Sequence, residues 1–158
     1  MLNRERTRFF QEGLMEELLE LRAHIEQGRY AEALALIGEM EEMSRDDKIN
    51  KIESFLYILL LHLIKQHAEQ RTPRSWEVSI RNAVDGVQRV NKRRKAGGYY
   101  LSPIELEESI EEIFPAALRQ ASLEAFEGQY DDITLATQFD FHQVKQQALQ
   151  IVLDAQDS

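Results

Sequence analysis

Only one polar residue interrupts the apolar stretch between Phe55 and Ile64, and it is a histidine, His62, with Lys65 following one helical turn later. An imidazole beside a cation within a helical cleft could act as a general base or as a ligand. It could equally donate one hydrogen bond inside the core, or lie under the aliphatic part of Lys65. Because the sequence fixes no second titratable group beside His62, we favour the structural interpretation, and an enzyme of unfamiliar type around His62 is the alternative.

The known catalytic motifs are missing from this sequence. It contains no H-E-x-x-H, no P-loop, no G-x-G-x-x-G turn and no G-x-S-x-G elbow. No histidine has a glutamate three residues before it, and there is no cysteine, so di-metal helical sites and thiolate chemistry are excluded. Trp76, in the first turn of a predicted helix, is expected in the core like His62 and Lys65. We predict no catalytic residue, no metal site and no cofactor.

Charge is distributed unevenly along the chain. Residues 71–98 carry eight cations and two anions, whereas residues 1–70 and 99–158 are acidic and the whole chain has a net charge of −9. On a helical wheel Arg74, Arg81 and Lys92 fall within about 20° of each other, opposite an apolar stripe from Trp76 to Val90. This helix is therefore predicted to bury one face and to present a basic face to solvent.

Three interpretations of the basic face are open. It could be a solvated surface that pairs loosely with the acidic C-terminal helices, or a docking surface for an acidic protein. It could also bind nucleic acid, because the cations of residues 92–95 stand beside Tyr99 and Tyr100, as in single-strand binding proteins. The acidity of the remaining chain disfavours a nucleic-acid partner.

Helical periodicity dominates the sequence, and glycine and proline are sparse. We predict an all-α single domain of six or seven helices packed around a central apolar helix at about 45–70. An N-terminal helical hairpin at 7–43 turns at Gly28, with Leu34, Ile37 and Met40 facing inward. The central helix follows it, and Ser44 with Asp47 form its start signal.

Two further groups of helices complete the prediction. A basic helix at 73–94 starts after Thr72, the expected cap. The acidic C-terminal helices at 103–155 open with a capping box at Ser102 and Glu105, meet a kink or break at Pro115, and include a last helix capped by Asp140.

No segment of the sequence is suited to a membrane. The longest charge-free stretch, Ser54–Ile64, has 11 residues, and a spanning helix needs about 20. The N-terminus lacks the apolar region of a signal peptide. We expect a cytoplasmic protein without membrane attachment.

A family resemblance covers the stretch from about Leu34 to Ile80. The residues that carry it are Ile37-Gly38-Glu39-Met40-Glu41-Glu42-Met43-Ser44-Arg45, Leu60-Leu61-His62-Leu63-Ile64-Lys65, and Arg74-Ser75-Trp76 with Ile80. In their order and spacing the chain resembles the mainly cyanobacterial family called domain of unknown function 29. The resemblance implies a small helical protein and brings no activity, ligand or catalytic residue.

Together these features favour a non-catalytic protein-interaction module, an adaptor or the antitoxin-like member of a pair. Arg74, Arg81 and Lys92 are the candidate docking residues, and the expected partner is an acidic protein or a second copy of the chain. The alternative is a nucleic-acid-binding protein that uses the basic helix at 73–95.

Overall fold

The structure is a computed structural model that describes the backbone of residues 2–93 and 96–157 and the side chains of residues 12–93 and 96–157. Within these residues it contains six α-helices, one 3-10 helix and no strand, which confirms the predicted all-α fold. The helices are α1 (Leu2–Glu26), α2 (Tyr30–Glu69), α3 (Arg74–Asn91), α4 (Pro103–Glu124), α5 (Asp132–Leu135) and α6 (Phe141–Gln156), with the 3-10 turn at Ala125–Gly128. Contacts divide the chain into two compact units, residues 1–46 and 47–158.

In the first unit, the turn between α1 and α2 lies where the sequence predicts it. Gly28 has a φ of +71°, a conformation that favours glycine, and its N–H donates to the Ile25 carbonyl at 3.1 Å. Of the three residues predicted to face inward, Leu34 is wrong because it is 69% exposed, whereas Ile37 and Met40 are half-buried. Ala33 and Leu36 are the buried residues here, so the covered face is turned away from Leu34, since one residue corresponds to about 100° around a helix.

The predicted start of the central helix at Ser44 is wrong, because α2 continues through Ser44 without interruption. Residues 39–51 contain neither glycine nor proline, and most are good helix formers. The hydroxyl of an exposed serine competes only weakly with continuous backbone hydrogen bonds. The end of the helix agrees with the prediction, since α2 stops at Glu69 and Gln70 adopts a φ of +52°.

In the second unit, the apolar part of α2 is the centre of the core. Its fully buried side chains are Ile52, Leu56, Leu59, Leu60, Leu63 and Ile64. One row of residues three or four apart, at Lys51, Ser54, Ile58 and His62, is exposed or half-buried, and Ile58 is 37% exposed. The helix is therefore surrounded on every side except this edge.

Helix α3 differs from the predicted basic helix at both ends. Thr72 is not the cap: Pro73 holds that position without a side-chain bond, and its carbonyl accepts from Trp76 N at 3.0 Å. The helix ends at Asn91, since Lys92 has extended backbone (φ −75°, ψ 125°). The predicted helix end at Arg94, and Lys95 beyond it, lie outside the described residues.

Helix α4 begins as predicted and runs through Pro115 to Glu124. The Ser102 hydroxyl accepts from Glu105 N while the Glu105 carboxylate accepts from Ser102 N, which confirms the capping box. Pro115 does not split the helix. Because Pro115 lies on the exposed side, water can satisfy the carbonyl of Glu111 that loses its partner.

The last segment packs α6 against α4 and α3. The Asp140 carboxylate accepts from Gln143 N at 3.2 Å, the predicted cap of α6. Val144, Ala148 and Val152 are buried along one stripe of α6. Among the described helices, none combines the length and the apolar character that crossing a membrane requires.

Candidate functional site

The chain reverses direction after α3, and a buried asparagine holds this turn. Asn91 is fully buried, and its amide oxygen accepts from Leu101 N at 2.8 Å while its amide nitrogen donates to the Leu101 carbonyl at 3.4 Å. Two backbone bonds continue the pairing, from Arg93 N to the Gly98 carbonyl at 3.0 Å and from Tyr100 N to the Asn91 carbonyl at 2.9 Å. The backbone at Arg93 and Tyr100 is therefore fixed from both sides of the turn.

This turn forms one wall of a cavity of about 590 Å³, which we call the basic pocket. Its lining comes from α2, from the last turn of α3 and from the turn itself: Lys48, Arg89, Val90, Lys92, Arg93, Ala96 and Tyr100. Of these seven described lining residues, four are cations and none is an acid. The described lining of the pocket is thus concave and carries only positive charge.

The cations of the basic pocket have no counter-charge in the part of the chain that the structure describes. None of Lys48, Arg89, Lys92 and Arg93 forms an ion pair there. Arg93 instead lies over the ring of Tyr100, with its guanidinium carbon 5.8 Å from the ring centroid. A cation over the face of a ring is attracted by the ring's quadrupole. Within the described residues, the Arg93 side chain makes no hydrogen bond, so its planar set of N–H donors is available to a ligand there.

The candidate docking residues lie apart from each other. Arg74, Arg81 and Lys92 are all exposed, but only Lys92 lines the basic pocket. The position predicted for Lys92 on the helical wheel is wrong, because Lys92 lies beyond the last residue of α3. Arg74, the first residue of the helix, is 15 residues from Arg89, about 22 Å along the axis.

Within the described residues, no ion pair joins Arg74, Arg81 or Lys92 to the acidic C-terminal helices. The ion pairs that reach α4 within the described residues are Lys65 with Glu124 at 3.1 Å and Lys145 with Glu111 at 2.8 Å. Neither lysine belongs to the basic face.

Lys48 is the pocket residue that the sequence gives no means of finding. It lies on α2, far from the basic segment in sequence, and no motif marks it. In the sequence, Arg89 and Arg93 stand out only as two of the eight cations of residues 71–98. The packing of α2 beside the end of α3 brings these residues together.

The structure brings His62, Lys65 and Trp76 close together, as a second polar cluster around Glu124. Lys65 is buried, with its ammonium 3.1 Å from Glu124 Oε1 and 4.6 Å from the centroid of the Trp76 ring. The guanidinium carbon of Arg71 lies 4.9 Å from the same centroid. Trp76 is half-buried between these groups, so it serves the packing of α3 on α2.

His62 lies at the partly exposed edge of α2. Its Nδ1–H donates to the Ile58 carbonyl at 2.9 Å, which leaves Nε2 as the acceptor of the neutral ring. The nearby carboxylate is already engaged, since Glu124 also accepts from Gln120 at 2.9 Å. His62 is not among the described residues that line the basic pocket.

The acidic cavity is a shallow depression lined by Ile104, Glu107, Glu108, Glu111 and Glu112. Glu53 of α2 is close enough to Glu112 to be affected. Burial raises the pKa of Glu53, and the negative charge of Glu112 raises it further. Across the described residues, no three His, Asp or Glu side chains are placed to hold a metal ion.

Comparison with known proteins supports the family resemblance. The comparisons with curated proteins and with solved structures gave no match. The family model described as "Domain of unknown function DUF29" matches residues 14–150. This range contains every residue that carries the resemblance and most of the chain, so the protein belongs to the DUF29 family.

Proposed function

We propose that this protein is a non-catalytic protein-interaction module whose basic pocket docks an acidic segment of a partner protein. The observation that carries the proposal is the convergence of four cations from three segments on one cavity, with no acid in its described lining. Like charges gathered without counter-charges repel each other. An acidic segment would relieve this repulsion and would be steered toward the pocket.

The exposed side of α3 extends the pocket into a longer strip. Arg81 and Arg74 precede Arg89 along the helix, both are exposed, and neither forms an ion pair within the described residues. The 22 Å from Arg74 to Arg89 equals about six or seven residues of extended chain. A short acidic segment fits this length, whereas the net charge of −9 opposes a long nucleic acid.

Comparative affinity capture from the source cell tests the proposal. The baits are the wild-type chain, Arg93→Glu in the pocket, and Arg119→Glu on α4 as a matched control with the same change of charge at an exposed arginine. We expect an acidic protein that wild type and the control retain and that Arg93→Glu loses by at least tenfold. The same captured proteins with all three baits would contradict the proposal.

Two further measurements identify the class of partner. Light scattering on the purified chain shows whether the acidic partner is a second copy. A labelled single-stranded oligonucleotide at about 50 mM salt tests the nucleic-acid alternative, for which affinity must fall steeply as salt is added. Oligonucleotide binding that Arg93→Glu abolishes would replace the protein-docking proposal.

A further inference from the structure

The basic pocket holds more positive charge than one carboxylate can neutralise. Its described lining contains Lys48, Arg89, Lys92 and Arg93 and no acid. A carboxylate brings one negative charge, whereas a phosphoryl group brings about 1.5 to 2 at neutral pH and three acceptor oxygens. We propose that the basic pocket takes the phosphoryl group of a phosphorylated side chain in the acidic segment of the partner.

This inference rests on the proposed function and adds the chemistry that the pocket selects. Two of its cations are arginines, whose planar forks can each donate two parallel hydrogen bonds to a phosphoryl group. The guanidinium carbon of Arg93 lies 5.8 Å from the centroid of the Tyr100 ring, and within the described residues its side chain forms no hydrogen bond or ion pair. The two lysines supply point charges at the same cavity. Clusters of this kind are how proteins recognise phosphorylated motifs.

The site is formed before any ligand arrives. The buried amide of Asn91 bonds both backbone groups of Leu101, and the bonds from Arg93 N and Tyr100 N close the turn. Because the backbone beneath Arg93 and Tyr100 is fixed, binding does not have to order it. The volume of about 590 Å³ accommodates a phosphorylated side chain together with water.

The lining favours a phosphoryl group carried by a protein over a free metabolite. Besides the four cations, its residues are Val90, Ala96 and Tyr100. No described lining residue offers a carboxylate or side-chain amide, the groups that usually bind a sugar or a base. Recognition beyond the phosphoryl group would therefore depend on the residues that flank it, along the strip of Arg81 and Arg74.

Fluorescence anisotropy with three labelled peptides tests the inference. The peptides are Asp-Glu-Glu-phosphoserine-Glu-Glu-Asp and the same sequence with serine or glutamate at the centre. At about 150 mM salt we expect the phosphopeptide to bind at least tenfold more tightly than the other two, because only it fills the site with a multiply charged tripod of oxygens. Equal binding of the three peptides overturns the phosphoryl inference and leaves acidic docking intact.

Variants then locate the binding. Arg93→Ala should reduce phosphopeptide affinity at least tenfold and affect the serine peptide less, and Arg93→Lys should give an intermediate loss because it keeps the charge without the fork. Arg119→Ala is the matched control and should change nothing. Circular dichroism melts establish that each variant is folded. An equal loss for phosphopeptide and serine peptide in Arg93→Ala would overturn the inference.

Two other outcomes would also overturn the inference that the basic pocket binds a phosphorylated side chain of a protein. If free O-phospho-L-serine binds as tightly as the phosphopeptide, the source is a small phosphorylated molecule and the proposed protein source is overturned. If no peptide binds up to millimolar concentration, the phosphoryl inference fails, while the capture experiment with Arg93→Glu judges the proposed function independently.

Discussion

Two glutamates of the second unit show how neighbouring side chains decide the behaviour of a carboxyl group. Burial raises the pKa of both. For Glu53 the negative charge of Glu112 adds to this rise. For Glu124, hydrogen bonds from Gln120 and Lys65 and the positive charge of Lys65 outweigh burial, so its pKa lies below the ordinary value of 4.5. The two groups therefore affect stability in opposite directions as pH changes.

Glu124→Gln should lower the free energy of unfolding at pH 7. Because the folded pKa of Glu124 is depressed, its stabilisation is fully present above 4.5 and is lost as pH falls through the folded pKa. The side chain is 38% exposed, so solvent screening limits the loss to at most about 1 kcal/mol. Urea unfolding at pH 7 and pH 3 measures the difference between wild type and variant. A difference that is the same at both pH values would contradict this assignment.

Glu112→Gln should raise the free energy of unfolding at pH 7, by up to about 0.5 kcal/mol. The pKa of Glu53 is raised in the folded state, so ionising Glu53 costs stability as pH rises through the folded pKa. Removing the charge of Glu112 relieves part of this cost, and the gain should vanish in acid, where Glu53 is protonated. Glu107→Gln, an exposed glutamate of the same helix, is the control. An equal gain in stability for Glu107→Gln would mean that the gain comes from lowering the total negative charge of α4, and not from relieving the repulsion between Glu112 and Glu53.

At the scale of the elements, two serines with similar sequence surroundings have opposite roles. Ser102 caps α4 through a reciprocal pair of hydrogen bonds, whereas Ser44 lies inside α2. Both begin an S-x-x-acid pattern. The chain before Ser102 is already outside a helix, since α3 ends at Asn91 and Gly97 and Gly98 adopt positive φ in the turn that follows. No such break precedes Ser44, and the helix continues.

The same substitution at these two positions should therefore have opposite effects. Ser44→Ala should stabilise the protein by up to about 0.5 kcal/mol, because alanine is the better residue inside a helix. Ser102→Ala should destabilise it by about 1 kcal/mol, because a cap is lost. Urea unfolding followed by circular dichroism measures both changes. Destabilisation by Ser44→Ala would show that a helix begins there.

Helices α2 and α3 approach closely where a glycine faces a phenylalanine. A Cβ atom added to Gly86 would lie 2.5 Å from ring carbons of Phe55 and 2.7 Å from its Cγ. The whole ring, rather than its tip, would have to move. This contact places the C-terminal part of α3, and with it Arg89, against α2.

Gly86→Ala should destabilise the protein by about 1–2 kcal/mol, since overpacking outweighs the better helix propensity of alanine. Phe55→Leu provides space for the new methyl group. In the double variant Gly86→Ala, Phe55→Leu, the alanine should then cost less than in the wild-type background, and the difference is the coupling energy of the cycle. Urea denaturation of the four proteins measures it. If the two substitutions change the free energy of unfolding additively, the strain caused by Gly86→Ala does not come from contact with the Phe55 ring.

At the scale of the whole molecule, positive and negative charge are separated within one unit. The basic pocket and the four glutamates of the acidic cavity both belong to residues 47–158. The net charge of −9 therefore hides a local site of the opposite sign. Such a separation guides an anionic partner to one region and repels it from the rest.

Salt should slow association with the phosphoserine peptide more than it changes dissociation. Raising sodium chloride from 20 to 200 mM should reduce the association rate about tenfold, because screening weakens steering over distances beyond about 10 Å. Stopped-flow fluorescence measures both rates. An association rate that salt leaves unchanged would mean that the charge of the pocket does not guide the encounter.

Local patterns were sufficient for much of the fold. The turn at Gly28, the capping box at Ser102 and the cap at Asp140 depend on residues within four positions of each other, and all three predictions are confirmed. The prediction that Leu34 faces inward is wrong, because Ala33 and Leu36 occupy the buried face of the helix instead. The predicted break of the helix at Pro115 is wrong because Pro115 is exposed, which no local pattern encodes. Water can therefore bind the backbone carbonyl that loses its hydrogen bond, and the loss costs little stability.

The sequence by itself determined that the chain is helical, that residues 55–64 are largely buried, and that positive charge is concentrated after residue 70. These properties follow from periodicity, capping and composition, which act over one or two helical turns. Only the tertiary structure decided that Lys48 joins Arg89, Lys92 and Arg93 around one cavity and that Arg74 and Arg81 lie outside it. The physical reason is that a binding site is formed by segments that are distant in the sequence, and the packing of α2 on α3 determines which of their cations lie close together.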